Sequence, residues 1–343
     1  MAPSLLLSGD SKGHVVLWKL TTRRPLVNRA AHARGILSLA ADSERIVTHG
    51  RDGAVAFWDA ATFDDATVRE PLFSIDTDSF TFCAAHWPCD ERTAADWRNV
   101  VAAPNAHQSF VSLFDVRQAP QLLCVLTPDG KPGMAMGVRI VSRLGLPYGF
   151  AAHEDGCLRM WDLRSVREPL ATSDAPPQSA AVDDDEAALL SDALLAARKV
   201  SPVATARAFD KTEPATCIDV DALTNGRAFV GGAAQALQTI DIDFARGRLT
   251  LATPVQLKQA GLGAVCVRRD ARLIATGGWD SKVRIFTARR LRPLAILREH
   301  VGSVFALDFG FEPEHLLASG GKDGHVVVHS AFGDTAAAPA DAD

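Results

Sequence analysis

The sequence predicts an all-β protein, a seven-bladed β-propeller whose first blade is incomplete at its N-terminus. Three observations carry that prediction. A strand–turn–strand pattern recurs seven times. Most recurrences are about 40–47 residues apart, close to one four-stranded blade. Glycine-bearing polar turns fall at one fixed place in the pattern. The unit is clearest from Leu273 to Phe286, LIATGGWDSKVRIF. Leu273 to Thr276 is short and apolar, Gly277 and Gly278 bend, Asp280 and Ser281 turn, and Val283 and Ile285 alternate with Lys282 and Arg284. That is a β-hairpin, and a lone hairpin cannot hide its apolar face.

Taken in order, the hairpins end at Trp18, Trp58, Phe114, Trp161, Ile240, Phe286 and His329. The intervals are 40, 56, 47, 79, 46 and 43 residues, so the two long ones hold insertions. Asp52-Gly53, Asp155-Gly156 and Asp323-Gly324 occupy hairpin tips, where a positive φ favours glycine. A preceding strand is expected at Ile36–Leu39, Phe80–Cys83, Val138–Val141, Cys217–Val220, Val265–Val267 and Val304–Leu307. A short outer strand is expected at Pro25–Val27 and Pro293–Leu297.

The period and the tip chemistry are those of a WD repeat, in which a tip Asp bonds a His, the His a Ser or Thr, and that hydroxyl a Trp. The second repeat has every member: Asp52, His32, Thr48 and Trp58. The seventh has His300, Ser319 and Asp323, with His329 in place of Trp. The sixth keeps Thr276 and Asp280 but has Phe286 and no His, and the fourth keeps Asp155 and Trp161 only. The first has Ser8 and Trp18, with Lys12 where the Asp belongs. These histidines therefore read as structural, and the incomplete repeats are expected to be the looser ones.

Residues 1–332 read as a single propeller domain and 333–343 as a disordered tail. Cys89 to Arg98 reads as a polar loop between the first two strands of the third repeat. Residues 171–200 form an acidic insert between repeats four and five, with Asp183 to Glu186 followed by an Ala- and Leu-rich stretch. Leu190, Leu194 and Leu195 fall at helical spacing there, and the segment reads as a surface excursion or a partner-docking helix. The first repeat opens on its second strand, so either closure is imperfect or an N-terminal segment is lacking; the second is favoured.

Composition limits function. A net charge of −5 opposes a duplex-binding surface, though not a small basic patch. No apolar run reaches the roughly 20 residues a membrane helix needs, and the N-terminus has no basic n-region of a signal peptide. Six scattered cysteines show no C-x-x-C pair, and Cys83, His86 and Cys89 fit no zinc pattern. A reducing, intracellular setting follows. There is no P-loop, no G-x-S-x-G and no H-E-x-x-H, so no catalytic, cofactor or metal site is expected and the chain is not read as an enzyme.

GGWDSKVRIF, preceded by RRDARLIAT, resembles the sixth repeat of the family of G-protein β-subunit-like protein 1 and ASTRA-associated protein 1. Leu20 to Arg24, His49 to Asp52, Phe82-Cys83 and Gly133 to Met136 resemble that family's connector, second tip and two strand entries. The likeness runs from Leu5 to Ser330. It implies a scaffold for maturation and stability of phosphatidylinositol 3-kinase-related kinases with a co-chaperone assembly, and an ASTRA-type chromatin-associated complex in fungi. It further implies a nuclear and cytoplasmic location, a bearing on chromatin regulation and the DNA damage response, and a monomer held within a hetero-complex. Neither nucleic acid nor membrane is an expected partner.

Two residues stand out as partner contacts on the hairpin-tip face. Trp279 precedes Asp280, where the turn needs no large aromatic; the alternative is packing on a neighbouring blade. Arg51 holds the equivalent place in the second repeat. Phe114-Asp115-Val116-Arg117 and Trp161-Asp162-Leu163-Arg164 resemble the W-D-x-R box of cullin-type ubiquitin-ligase substrate receptors, which makes Arg117 and Arg164 candidates for adaptor binding. A G-protein β subunit, the remaining alternative, would carry a long N-terminal helix for its γ partner.

Overall fold

The structure, a computed structural model, describes residues 5–330 apart from 66, 89–92, 118, 167–193, 195 and 311–315. It is a seven-bladed propeller of antiparallel sheets. Blade 1 holds Leu5–Gly9, His14–Lys19 and Arg24–Ala30. Blade 2 holds Ile36–Ala41, Arg45–Gly50, Ala54–Asp59 and Phe73–Asp76. Blade 3 is built on Val100–Pro104, Val111–Asp115 and Gln121–Leu126. Ala135–Arg143, Leu146–His153, Cys157–Asp162 and Ala204–Arg207 make blade 4. Ala215–Asp221, Arg227–Gly232, Ala236–Asp243 and Arg248–Leu251 make blade 5, with Val255–Gln256 added to its third strand. Blade 6 is Leu262–Val267, Leu273–Gly278, Val283–Thr287 and Pro293–Leu297. Blade 7 is Val304–Phe309, Leu317–Gly321 and Val326–His329. Among the described residues blade 1 has no innermost strand and blade 7 no outermost one.

The apolar residues form layers between consecutive blades. Val47, Phe57 and Val101 lie between blades 2 and 3. Leu113, Ile140 and Trp161 lie between blades 3 and 4, and Phe150, Met160, Ile218 and Ile240 between 4 and 5. Phe229, Leu262 and Ile274 follow, then Ile285, Val304 and Leu317. Each sheet is covered on both faces by its neighbours, which explains strands that are apolar throughout, such as the wholly buried Leu273–Gly278. Burying one such side chain is worth about 1.5–3 kcal/mol, so the blades depend on one another. Close approach matters at Gly277, where a Cβ would lie 2.8 Å from the Val304 side chain of blade 7. Gly53, Gly156 and Gly324 take φ of 87°, 76° and 75° at their hairpin tips.

Several local features depart from the sequence reading. Phe80–Cys83 is not a strand: the innermost edge of blade 3 shrinks to single bridges, His86 with Ala102 and Ala84 with Gly137 of blade 4. Here buried hydroxyls bond within the segment, Ser79 Oγ lying 3.2 Å from Thr81 Oγ1 and Thr81 Oγ1 accepting Cys83 N–H at 3.4 Å, which competes with a ladder, while Thr77 Oγ1 donates to the Gly53 carbonyl of the blade 2 tip at 2.7 Å. The stretch before Val100 is not purely a polar loop, because a 3₁₀ turn at Ala95–Trp97 buries Trp97 in the blade 3–4 layer. Finally, the insert read as a surface excursion or helix ends in a strand. Lys199–Val200 pairs in parallel with Val125–Leu126 of blade 3, and the Val200 carbonyl accepts Trp161 Nε1–H at 3.0 Å. Most of the predicted helical stretch, Leu190 included, and the acidic run at 183–186 lie outside the described residues.

Candidate protein-interaction surface

Strand direction gives the propeller two faces. The hairpin tips between second and third strands lie on one; the turns between first and second, and between third and fourth, lie on the other. Rigid loops on a packed scaffold are where binding residues concentrate.

The tip face is braced from within. In blade 2, Asp52 Oδ1 lies 3.0 Å from His32 Nδ1, His32 Nε2 lies 2.7 Å from Thr48 Oγ1, and Trp58 Nε1 donates to Thr48 Oγ1 at 3.0 Å. In blade 7, His300 Nδ1 meets Asp323 Oδ2 at 3.0 Å and Nε2 meets Ser319 Oγ at 2.9 Å. His329, standing in the Trp place, leaves its buried Nε2 without a partner. The corresponding hydroxyl of blade 6, Thr276 Oγ1, is likewise buried and unpartnered, since Phe286 has no donor to offer.

Blades 4 and 6, which lack the His, close the tip differently. Arg159, four residues after Asp155, sends Nη2 to Asp155 Oδ2 at 2.8 Å and Nε to Asp129 Oδ1 at 2.6 Å. Arg284, four residues after Asp280, sends Nη2 to Asp280 Oδ2 at 2.5 Å and Nη1 to Oδ1 at 3.0 Å. Both guanidinium groups are buried. The Arg284 bonds hold the Asp280 carboxyl below the usual carboxylate range. Burial alone would raise the Asp155 carboxyl, but the bonds from Arg159 and Cys157 together with the Arg159 charge hold it below the usual carboxylate range. In these two repeats an arginine therefore takes the place of the absent histidine as the tip carboxylate's partner. The signal was an Asp-x-x-x-Arg spacing, readable in both repeats and absent from blades 2 and 7, where Ala56 and Val327 stand instead. In blade 1 Lys12 stands at the Asp place, as read, and Asp10, two residues earlier, supplies a tip carboxylate, accepting from Lys12 N at 2.8 Å and His14 N at 2.9 Å. Its Trp18 Nε1 donates to Ser8 Oγ at 2.8 Å.

Other histidines tie blades together. His49 Nδ1 accepts Ala85 N–H at 3.0 Å, His86 Nδ1 accepts Ile140 N–H at 3.1 Å, and His153 Nε2 donates to the Ser109 carbonyl, 3.1 Å away. Burial pushes His49 and His153 each down to about 4, so both are neutral near pH 7. Burial also pushes the Cys83, Cys124 and Cys217 thiols up to about 12, which suits packing and not nucleophilic or metal chemistry. Among the described residues no three His, Cys, Asp or Glu side chains come together as metal ligands, and Cys89 is not among them.

On this braced face Trp279 is 43% exposed. The rest of its ring lies flat on Gly261 of its own blade, whose φ is +96° and where a Cβ would sit 2.2 Å from the indole. Ser303 Oγ of blade 7 donates to the Trp279 carbonyl at 3.1 Å, which fixes the turn. Trp279 is thus packed on one side and open on the other. Arg51 is exposed and its guanidinium stacks 4.6 Å above the Phe82 ring, and Phe82 and Phe80 are 57% and 69% exposed. Sequence reasoning placed these two phenylalanines in a strand and so missed them as surface aromatics. Arg51 and Trp279 sit at equivalent tips of blades 2 and 6, which are not adjacent.

Arg117 and Arg164 lie on the opposite face, at the ends of the third strands of adjacent blades 3 and 4. Each folds back on its own aspartate, Arg117 Nη2 to Asp115 Oδ2 at 2.6 Å and Arg164 Nε to Asp162 Oδ2 at 2.8 Å. Both side chains are more than half exposed, yet each guanidinium edge is filled by its own carboxylate. A shallow cleft of about 360 Å³ nearby is lined by Thr93, Arg98, Ser142, Arg143 and Leu144, and among the described residues it holds no carboxylate or thiol.

The family described as "WD domain, G-beta repeat" matches residues 257–287 and 291–330. Over 96% of its length the chain superposes on 93% of the β-propeller domain of Myceliophteria thermophila Cps50 (Swd1), with a TM-score of 0.69 at 15% identity. The chain is a seven-bladed β-propeller in which the WD-repeat model matches blades 6 and 7. It is 27% identical to ASTRA-associated protein 1 of Verticillium alfalfae, over 94% of this chain and 78% of the relative. It is 26% identical to guanine nucleotide-binding protein subunit beta-like protein 1 of Mus musculus, over 96% of this chain and 88% of the relative. Blade 6 bears the Arg-closed tip and blade 7 the His-closed tip.

Proposed function

We propose that this propeller is a non-catalytic WD-repeat scaffold that holds protein partners on its hairpin-tip face, within an assembly of the kind named for its ASTRA-associated relatives and in support of kinase maturation. The observation that carries this reading is Trp279, a large aromatic half open to solvent on a turn fixed by Gly261 and Ser303. An anchor residue of this type contributes most when its own position costs no ordering on binding. The Arg51–Phe82 stack, with the exposed Phe80 two residues before Phe82, offers a second aromatic site on the same face. The similarity to ASTRA-associated protein 1 over most of both chains supports the assembly. A nuclear and cytoplasmic location is part of this proposal.

Affinity purification of the full chain from its source cell tests the reading. Kinase-maturation factors should co-purify, and Trp279→Ala should reduce their recovery about tenfold or more while far-UV circular dichroism and melting temperature stay unchanged. Recovery of a ubiquitin-ligase adaptor that is lost with Arg117→Ala and Arg164→Ala would replace this reading with the receptor one.

A further inference from the structure

We propose that the arginine-rich turns of blade 6, on the face opposite the hairpin tips, bind an acidic, serine-phosphorylated segment of a partner protein. This rests on the scaffold reading above and gives that scaffold a second docking surface.

The observation is a local reversal of charge. The two turns 268–272 and 288–292 carry six arginines and one carboxylate, Asp270, on a chain whose net charge is −5. The turns are side by side, because Ala288 N donates to the Arg272 carbonyl at 2.8 Å. Both are well defined. In the first, Ala271 N donates to the Arg268 carbonyl at 2.8 Å, and Arg268 is held by Asp270 through Nη2 at 2.6 Å and Nε at 3.0 Å. In the second, Leu291 takes a φ of 53°, its side chain packs against the blade 5–6 layer, and Leu291 N donates to the Thr287 carbonyl at 2.8 Å. Arg227 of blade 5 braces that turn, donating from Nη1 to the Arg289 carbonyl at 3.1 Å.

The single carboxylate is already committed to Arg268. Arg289, Arg290 and Arg292 are exposed, and among the described residues no side-chain acceptor reaches their guanidinium groups. A leucine pinned inward between exposed arginines on a braced turn presents several forks in a fixed arrangement. There is no lysine in either turn. Guanidinium forks take carboxylate and phosphate bidentately, where an ammonium acts as a point charge. The chain's acidic balance disfavours a long nucleic-acid track, whereas a short multiply charged segment needs only the few side chains present here.

Fluorescence anisotropy of a labelled Asp/Glu-rich peptide carrying two phosphoserines tests the inference, using the full chain and an R289A/R290A/R292A variant. Saturable binding is expected, weakening with added salt, with a roughly tenfold or larger loss in the variant. Arg246→Ala, an exposed arginine outside the two turns, should change little. No saturable binding by the wild-type chain, equal binding by the variant, or tighter binding of a duplex oligonucleotide or of anionic vesicles would each overturn it. Trp279→Ala should leave peptide binding intact. If the peptide does not bind but kinase-maturation factors still co-purify, this inference fails while the scaffold reading stands; if the peptide binds but nothing co-purifies, the reverse holds.

Discussion

At the scale of single residues, the fold depends on polar groups that the apolar layers cannot satisfy. Thr48 serves two partners at once, His32 and Trp58. Thr48→Val should strand two buried groups, the Trp58 Nε1–H donor and the His32 Nε2 that takes the Thr48 hydroxyl, and cost about 2–4 kcal/mol, read as a lower urea midpoint with an unchanged slope. Arg159 fills the same need by charge. Arg159→Met should cost about 3 kcal/mol by leaving Asp155 buried without its cation; adding Asp155→Asn should recover a good part, and a double-mutant cycle measures the coupling. The neutral histidines predict a pH dependence. His49 and His153 have folded values near 4, below the ordinary 6.5 of an unfolded chain. The unfolded state therefore binds protons first. The contribution is fully present above pH 6.5 and is lost as pH falls toward 4, on the order of 3 kcal/mol for each group. Melting temperature should drop steadily over that window, and less steeply in His49→Gln. A flat profile between pH 7 and 4.5 would contradict the assignment.

At the scale of the strand and the turn, the joins between blades matter more than the blades alone. Asp219 on the innermost strand of blade 5 accepts Arg139 Nε of blade 4 at 3.1 Å and the Val267 amide of blade 6 at 2.7 Å, so one carboxylate joins three sheets. The turn carrying Trp279 depends on Gly261. Gly261→Ala should be destabilising by about 1–3 kcal/mol, from the left-handed φ and the displaced indole, with a red shift of tryptophan emission as the ring moves into water. Elements of this kind were partly legible beforehand. The hairpin Leu273–Phe286 forms, but Gly277 and Gly278 belong to its first strand instead of bending, because blade 7 packs against Gly277, and the turn follows at Trp279 to Ser281, where Ser281 takes a φ of 64°. Phe80–Cys83 did not form a strand, because local hydroxyl bonding competed with pairing and turned Phe80 and Phe82 outward.

For the whole molecule, the consequence of radial stacking is two loop faces of different character. The tip face offers aromatic groups at Trp279 and Phe82, while blade 6 concentrates arginine on the other. Seven recurrences, glycine tips and the complete set Asp52, His32, Thr48 and Trp58 were enough, from the sequence by itself, to determine an all-β propeller and the location of its hairpins. Period and turn chemistry are local properties, and a repeat writes them several times. What only the tertiary structure decided is which groups meet: Arg159 and Arg284 replacing histidine at the tips, His49 and His86 reaching the next blade's backbone, Trp279 resting on Gly261, and Arg117 and Arg164 closed on their own aspartates. The histidine and Trp279 contacts join segments far apart in the chain, whereas the arginine–aspartate pairs lie two or four residues apart and depend on the strand and turn geometry that brings them together. Spacing along a sequence does not specify such meetings until the sheets have packed.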